Sequence, residues 1–295
     1  TNPDCPMGFL RAPDGRYVAY HRLYGLGRRV CRSESHDFKY WTSEPRMVLE
    51  PDAGDPPQIQ FYGMGAAAYG SYELGTLWMY HTDVGDTGAS KMHGYQEVEL
   101  TYARSGHAWH RAAQGSAFIP HGRKGSWEQG NLQCASQPVF LDDEIRYYYA
   151  GTDMFRQSHW ELEPQRAGLG MARIKPDRFV CLAADKAAAE FVTVPFRLRS
   201  PAILVNADAA RGGSVQVDLL DAGWKPVKGA TNQGRLITGD SLGHAVQWAD
   251  ARSVEKHVGE QVRIRLRAKN ARVFSVSILE PGETPVYHRF CGLRP

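Results

Sequence analysis

Glu128 stands between Trp127 and Gln129, a carboxyl set against an aromatic wall. Such a neighbour can raise a carboxyl's pKa toward duty as a proton donor. Two aspartates hold comparable places ahead of aromatic runs: Asp4 in Asp4-Cys5-Pro6, and Asp55 in Asp55-Pro56-Pro57. Carboxyl groups that face one another across a bond can supply a general acid and a general base to break it. An aspartate beside a proline is also an ordinary way to open a turn, and that reading stands beside the catalytic one for Asp4 and Asp55.

Other polar residues extend the candidate set. Glu73 precedes the apolar run 74–80, where a buried carboxylate would need a partner, and it is the reserve proton donor. His81 closes that run, either as a contact to a ligand or as a hydrogen-bonded core histidine. Asp153 and His159 follow the aromatic run 145–150 and either touch ligand hydroxyls or cap a loop. Tyr62, Trp78 and Trp127 could stack on a sugar ring, although strand aromatics also fill cores. Other machinery is missing: there is no GxSxG, no HExxH and no Walker loop. Gly168-Leu169-Gly170 lacks the further glycine and the helix of a dinucleotide site.

What must hold these residues in place is a repeat. Arg32-Ser33-Glu34-Ser35-His36-Asp37-Phe38-Lys39-Tyr40-Trp41 is echoed by Thr101-Tyr102-Ala103-Arg104-Ser105-Gly106-His107-Ala108-Trp109. It is echoed again by Gly168-Leu169-Gly170-Met171-Ala172-Arg173-Ile174-Lys175-Pro176-Asp177-Arg178-Phe179. The closing aromatics Trp41, Trp109 and Phe179 recur about every 70 residues, a workable repeat period. An aromatic strand precedes each phrase, at 16–21, 77–81 and 145–150. Strand, turn, strand and aromatic corner, repeated, is how propeller blades read from sequence, and it directs attention to the starts of the innermost strands. Closed propellers typically have about four or more blades. The roughly 190 residues that carry the repeat supply about three, so the expected propeller is partial.

From about residue 191 the phrase stops and period-two alternation takes over. In Val262-Arg263-Ile264-Arg265-Leu266-Arg267-Ala268 every second residue is apolar, as in a sheet with one wet face. Val215-Gln216-Val217-Asp218-Leu219-Leu220-Asp221 and Val273-Phe274-Ser275-Val276-Ser277-Ile278-Leu279 are further strands of an expected β-sandwich. Helix signals are scarce, and the short run 184–190 reads as a turn-like connector. The expected fold is therefore all-β: a partial, about three-bladed β-propeller over residues 1–190, then a β-sandwich over 191–295.

The net charge of +3 in 295 residues, with no basic stripe, argues against nucleic acid. No apolar run approaches the roughly 20 residues that cross a bilayer. Cys5, Cys31, Cys134, Cys181 and Cys291 are odd in number, lack a CxxC pair and read mainly as buried free thiols. No cofactor is expected. A structural calcium in a propeller channel would need only oxygen ligands, and no EF-hand loop is present.

Ser35-His36-Asp37-Phe38-Lys39-Tyr40-Trp41 resembles the S-x-D-[FL]-x-x-W corner of the five-bladed propeller glycosidases of glycoside hydrolase families 32 and 43. The stretches 60–64, 77–81, 126–130 and 143–151 are similar to family-32-like bacterial proteins. The resemblance implies the later blades of a furanosidase-type propeller with its C-terminal sandwich. It also implies hydrolysis of glycosidic bonds by paired carboxylates, with Asp4, Asp55 and Glu128 in the places of base, tuning aspartate and acid. Trp127, Tyr62, Glu73, His81, Asp153 and His159 would then contact the sugar. The implied partner is a carbohydrate, and the implied setting is secreted or periplasmic, although no signal peptide is visible and the chain starts at Thr1. Two rivals use the same scaffold: a carbohydrate-binding protein without turnover, and an assembly module whose open propeller is closed by another chain.

Overall fold

The computed structural model describes residues 3–23, 28–82, 94–154, 166–209, 212–280 and 283. They are almost entirely β, in two compact units that divide between Arg173 and Ile174.

The first unit begins with an antiparallel meander of β1 (Pro3–Arg11), β2 (Tyr17–Leu23), β3 (Val30–Ser35) and β4 (Arg46–Leu49). A second meander follows: β5 (Gln60–Tyr69), β6 (Tyr72–His81), β7 (Tyr95–Ala103) and β8 (Trp109–Arg111). It is continued in the same sheet by β9 (Asn131–Cys134), β10 (Val139–Phe140), β11 (Ile145–Thr152) and β12 (Ala167–Ile174). The join is a parallel pairing of β7 and β9 at Gln96 and Asn131.

The two meanders share a core. Leu10, Val18, Tyr20 and Val30 from the first pack with Phe61, Met64, Leu77 and Met79 from the second. Each such side chain contributes about 1.5–3 kcal/mol when fully buried. The close approach of β1 to β5 depends on Gly8, where a Cβ would lie 2.8 Å from the Met64 carbonyl oxygen.

The first two occurrences of the repeated phrase share a backbone; in the third the left-handed residue is Asp177 (φ 62), two positions before Phe179 rather than three. Phe38 (φ 65) and Gly106 (φ 66) are both left-handed, and each precedes its tryptophan, Trp41 or Trp109, by the same spacing. In the first corner the Ser35 hydroxyl accepts from Phe38 N at 2.9 Å, and the Asp37 carboxylate accepts from Lys39 N and Tyr40 N, each at 2.9 Å. A bulky residue in that conformation is strained. Ring contacts of Phe38 with Phe9, Tyr17 and Trp41 offset the cost.

The second unit has two sheets. One is β13 (Leu182–Ala184), β21 (Ala271–Leu279), β16 (Ala202–Ala209) and β19 (Gly239–Ala245). The other is β14 (Ala189–Val192), β20 (Gln261–Lys269), β17 (Ser214–Asp221) and β18 (Pro226–Thr231), with β15 (Phe196–Arg197) also on β20. Their facing sides bury Ile203, Val205, Val217, Leu219, Ile264 and Leu266 in one core. The helix α1 (Ala251–Glu255) is capped by the Asp250 side chain. The change of sequence character near residue 190 falls inside this unit, because β13 and β14 already pair with β21 and β20. Both are so short that their alternation scarcely registers in the sequence.

Candidate functional site

The segment ahead of β9 folds back on itself. Gly122 N donates to the Glu128 carbonyl at 3.1 Å, and Gly125 N donates to the Gln129 side chain at 2.6 Å. This presents Trp127 and Glu128 to β11. The Tyr149 hydroxyl donates to the Glu128 carboxylate at 2.5 Å. The Tyr149 and Trp127 rings are stacked, with centroids 6.2 Å apart and planes 10° from parallel. Gly168 and Gly170 on β12 leave room for them: a Cβ at 168 would lie 3.1 Å from Trp127, and one at 170 would strike the Tyr149 ring.

Burial, then the hydrogen bond to Glu128 and that carboxylate's charge, push the Tyr149 phenol up to about 12. It is thus a donor at neutral pH. The Ser126 hydroxyl is buried without a hydrogen-bond partner, and it adjoins Glu128 over Gly122, where a Cβ would meet both side chains. The arrangement therefore combines a carboxyl, a positioned phenol, an unengaged hydroxyl and an aromatic pair. The Glu128 carboxyl and the Tyr149 phenol are groups that can exchange a proton or hydrogen-bond a hydroxyl, while the Ser126 hydroxyl is closed to solvent.

Asp153 is near this place. Its carbonyl accepts from the Gln129 side chain at 3.4 Å, while its carboxylate is occupied by Arg166 N at 3.0 Å and Arg166 Nε at 2.9 Å. His159 lies outside the described residues. So does the side chain of Asp4, whose backbone pairs with Arg22 on β2.

Asp55 is elsewhere. Its side chain is 2% exposed and forms an ion pair with Arg111, which also holds Glu99 through Nε at 2.6 Å. No hydrogen bond or ion pair among the described residues joins Asp55 to Glu128. Arg111 and Glu99 went unrecognised in the sequence; the alternation that turns both inward is visible only once β7 and β8 are paired.

Glu73 has its own surroundings. It accepts from the buried Tyr20 hydroxyl at 2.6 Å, and burial raises its pKa against the opposing pull of Tyr20 and Arg32. Burial and the Glu73 charge also push the Tyr20 phenol well above its usual range. His81 sits at the opposite end of β6. Its Nε2 is 2.7 Å from the Glu97 carboxylate, and its ring stacks on Tyr95 at 4.4 Å. The hydrogen bond to His81 holds Glu97 below the ordinary carboxylate range, with help from the charges of His81 and His121. Tyr62 is covered by Arg22, whose guanidinium lies 4.4 Å from its ring centroid, and Trp78 is core.

Among the described residues, no group of three His, Cys, Asp or Glu side chains could hold a metal ion. Cys31 and Cys134 are buried free thiols and Cys181 is an exposed one. Among the described residues no helix is long and apolar enough to cross a membrane.

No family model matches the chain, and no curated protein matches it. Among solved structures it is similar to an N-acetylgalactosamine deacetylase from F. plautii, solved with blood group B trisaccharide. The identity is 14% and the TM-score 0.42, over 59% of this chain and 52% of that one. It is also similar to a family 117 glycoside hydrolase from Zobellia galactanivorans, with 16% identity and a TM-score of 0.41 over 58% and 52% of the two chains. A protein of unknown function from Dyadobacter fermentans is 11% identical with a TM-score of 0.35, over 68% and 60%. The chain spans about half the length of the first two.

Proposed function

We propose that this is a carbohydrate-active protein that cleaves glycosidic bonds, with Glu128 as the group that protonates the departing oxygen. Its first unit is read as a partial propeller. On this reading the meanders β1–β4 and β5–β8 are two blades, and β9, β11 and β12, which continue the sheet of the second through the β7–β9 pairing, stand for a third. The starts of the innermost strands then belong to β1, β5 and β9, and Glu128 lies three residues before the last of these.

The observation that carries the reading is the setting of Glu128: a phenol donor at 2.5 Å, a stacked aromatic pair and the unpartnered Ser126 hydroxyl beside it. Sugar sites combine flat apolar faces with a few convergent polar groups. In hydrolysis one carboxyl protonates the leaving oxygen while a second acts as base or nucleophile. Asp4 is proposed for that second role, and Asp55, engaged by Arg111, for a fixed charge that tunes the pair.

A second reading is glycan binding without turnover. It is favoured by the engagement of Asp55 and Asp153 by arginines, which leaves Glu128 without a free carboxylate partner among those two. Hydrolysis of an aryl glycoside and oligosaccharide panel, furanosides included, separates the readings. Turnover by wild type that is lost in Glu128→Gln supports the first. Saturable glycan binding by wild type, without turnover, supports the second.

A further inference from the structure

Trp224 lies in the turn between β17 and β18, and it is 57% exposed. Its backbone is left-handed, with φ 70, whereas the glycine beside it, Gly223, is not. Left-handed backbone is costly for a bulky side chain, and natural turns give that place to Gly or Asn. A tryptophan held there contributes only part of its surface to burial. Backbone strain of this kind concentrates at functional positions.

The ring is also braced. Arg263 on β20 places its guanidinium 4.4 Å from the Trp224 centroid. Its Nη1 donates to the Thr193 carbonyl at 3.1 Å, and its Nε points to the Ala222 carbonyl at 3.5 Å. The turn is closed by Trp224 N to the Asp221 carbonyl at 3.1 Å, and by Lys225 N to the Asp221 carboxylate at 2.9 Å. Val194, next to Thr193, is 77% exposed and adds apolar surface.

The charges along β20 are uneven. Arg265 and Arg267 are paired with Asp218 and Glu190. Among the described residues no carboxylate lies within ion-pair distance of Arg263, which bonds only to backbone carbonyls. A planar guanidinium with an unmatched charge is suited to a carboxylate or sulfate. An exposed indole is suited to the apolar face of a sugar ring.

We propose that Trp224 and Arg263 form a glycan-binding site on the second unit, specific for a polysaccharide that carries a carboxylate or a sulfate. The open face of the indole stacks on one sugar ring, and Arg263, which covers the opposite face, bonds an acidic group on a neighbouring residue of the same polysaccharide. This site shares with the hydrolytic reading above only the premise that the chain meets glycans, since binding here needs no turnover.

The test is affinity electrophoresis of the full chain in native gels containing polygalacturonate, dextran sulfate, neutral arabinan or polyglutamate. Trp224→Gly is the key variant, because glycine relieves the left-handed strain and its melting temperature should equal or exceed that of wild type. Wild type should be retarded by polygalacturonate or dextran sulfate, and the response to the two separates uronate from sulfate. Trp224→Gly should weaken that affinity about tenfold, and Arg263→Gln should abolish the preference for acidic over neutral polymer.

Equal retardation of wild type and Trp224→Gly would overturn the proposal, as would no retardation of wild type by either acidic polysaccharide. So would Trp224-dependent retardation as strong in arabinan or polyglutamate. A melting temperature lowered in Trp224→Gly would assign the tryptophan to stability instead. Wild type that is retarded but silent on the glycoside panel would sink the hydrolytic reading alone.

Discussion

The Tyr149 hydroxyl donates to the Glu128 carboxylate at 2.5 Å while the Tyr149 ring stacks on Trp127, the residue that precedes Glu128 in the chain. One side chain thus fixes both members of the Trp127-Glu128 pair, by a hydrogen bond and by ring contact. Tyr149→Phe keeps the stack and removes the bond. Its stability cost should be about 1 kcal/mol, the usual net worth of one hydrogen bond. Turnover should fall through kcat more than through KM, since a mispositioned carboxyl weakens the reaction step rather than binding. Steady-state kinetics beside urea unfolding would check this, and an unchanged kcat would remove Tyr149 from a positioning role.

Arg111 is the hinge of the buried Asp55–Arg111–Glu99 group, in which both carboxylate side chains are 2% exposed. Arg111→Met leaves two buried carboxylates close together. Breaking a buried ion pair from one side costs about 3–5 kcal/mol. Urea unfolding should show a loss of that size, and a loss under about 1 kcal/mol would mean that water reaches the group.

Glu73 has a folded pKa raised by burial. Its native state therefore favours the protonated form. The stability it contributes is present below the ordinary glutamate range and is lost as pH rises through the folded pKa. Glu73→Gln should gain in melting temperature relative to wild type as pH is raised from about 4 to 8. A difference that does not change with pH would contradict the burial argument.

Glu97 has the opposite sign, because its hydrogen bond to His81 lowers its pKa. Its contribution is present above the ordinary glutamate range and is lost as pH falls through the folded pKa. Glu97→Gln should melt below wild type near neutrality, with the gap closing toward about pH 3. A gap that widens in acid would exclude the carboxylate–imidazole pair as its source.

Gly106 and Gly115 separate strain from crowding. Both have positive φ, 66 and 77, but a Cβ at Gly106 would strike Tyr20 and Glu73, whereas Gly115 has nothing within 4 Å. Alanine at Gly115 should cost about 1–2 kcal/mol for left-handed backbone alone. Alanine at Gly106 should cost more, because it also displaces the Tyr20–Glu73 hydrogen bond. Equal losses would show that the neighbourhood of Glu73 yields easily.

The all-β character was legible, for reasons these residues make plain. The first two corners were readable because Phe38 and Gly106 use one left-handed turn before Trp41 and Trp109, a geometry the third phrase, with Pro176 at that place, does not repeat. The strand β20 was readable because Val262, Ile264, Leu266 and Ala268 face a core while the intervening arginines lie on the opposite, half-buried face. The candidate site was only half readable. Trp127 and Glu128 adjoin in sequence, so their pairing could be seen, but Tyr149 reaches them only through the β9–β11 register. The engagement of Asp55 was hidden for the same reason: Arg111 is distant in the chain and looks like any surface arginine until β8 pairs with β7. Trp224 gave no periodic signal, because a turn has none.

The most direct measurement is turnover of the glycoside panel by wild type and Glu128→Gln side by side, with circular dichroism to confirm that both are folded. The expected result is hydrolysis by wild type and at least a hundredfold loss in the variant, the scale of general acid catalysis at about 10²–10⁴. Equal hydrolysis by both proteins would contradict the assignment of Glu128. No hydrolysis by folded wild type would contradict the enzymatic reading itself.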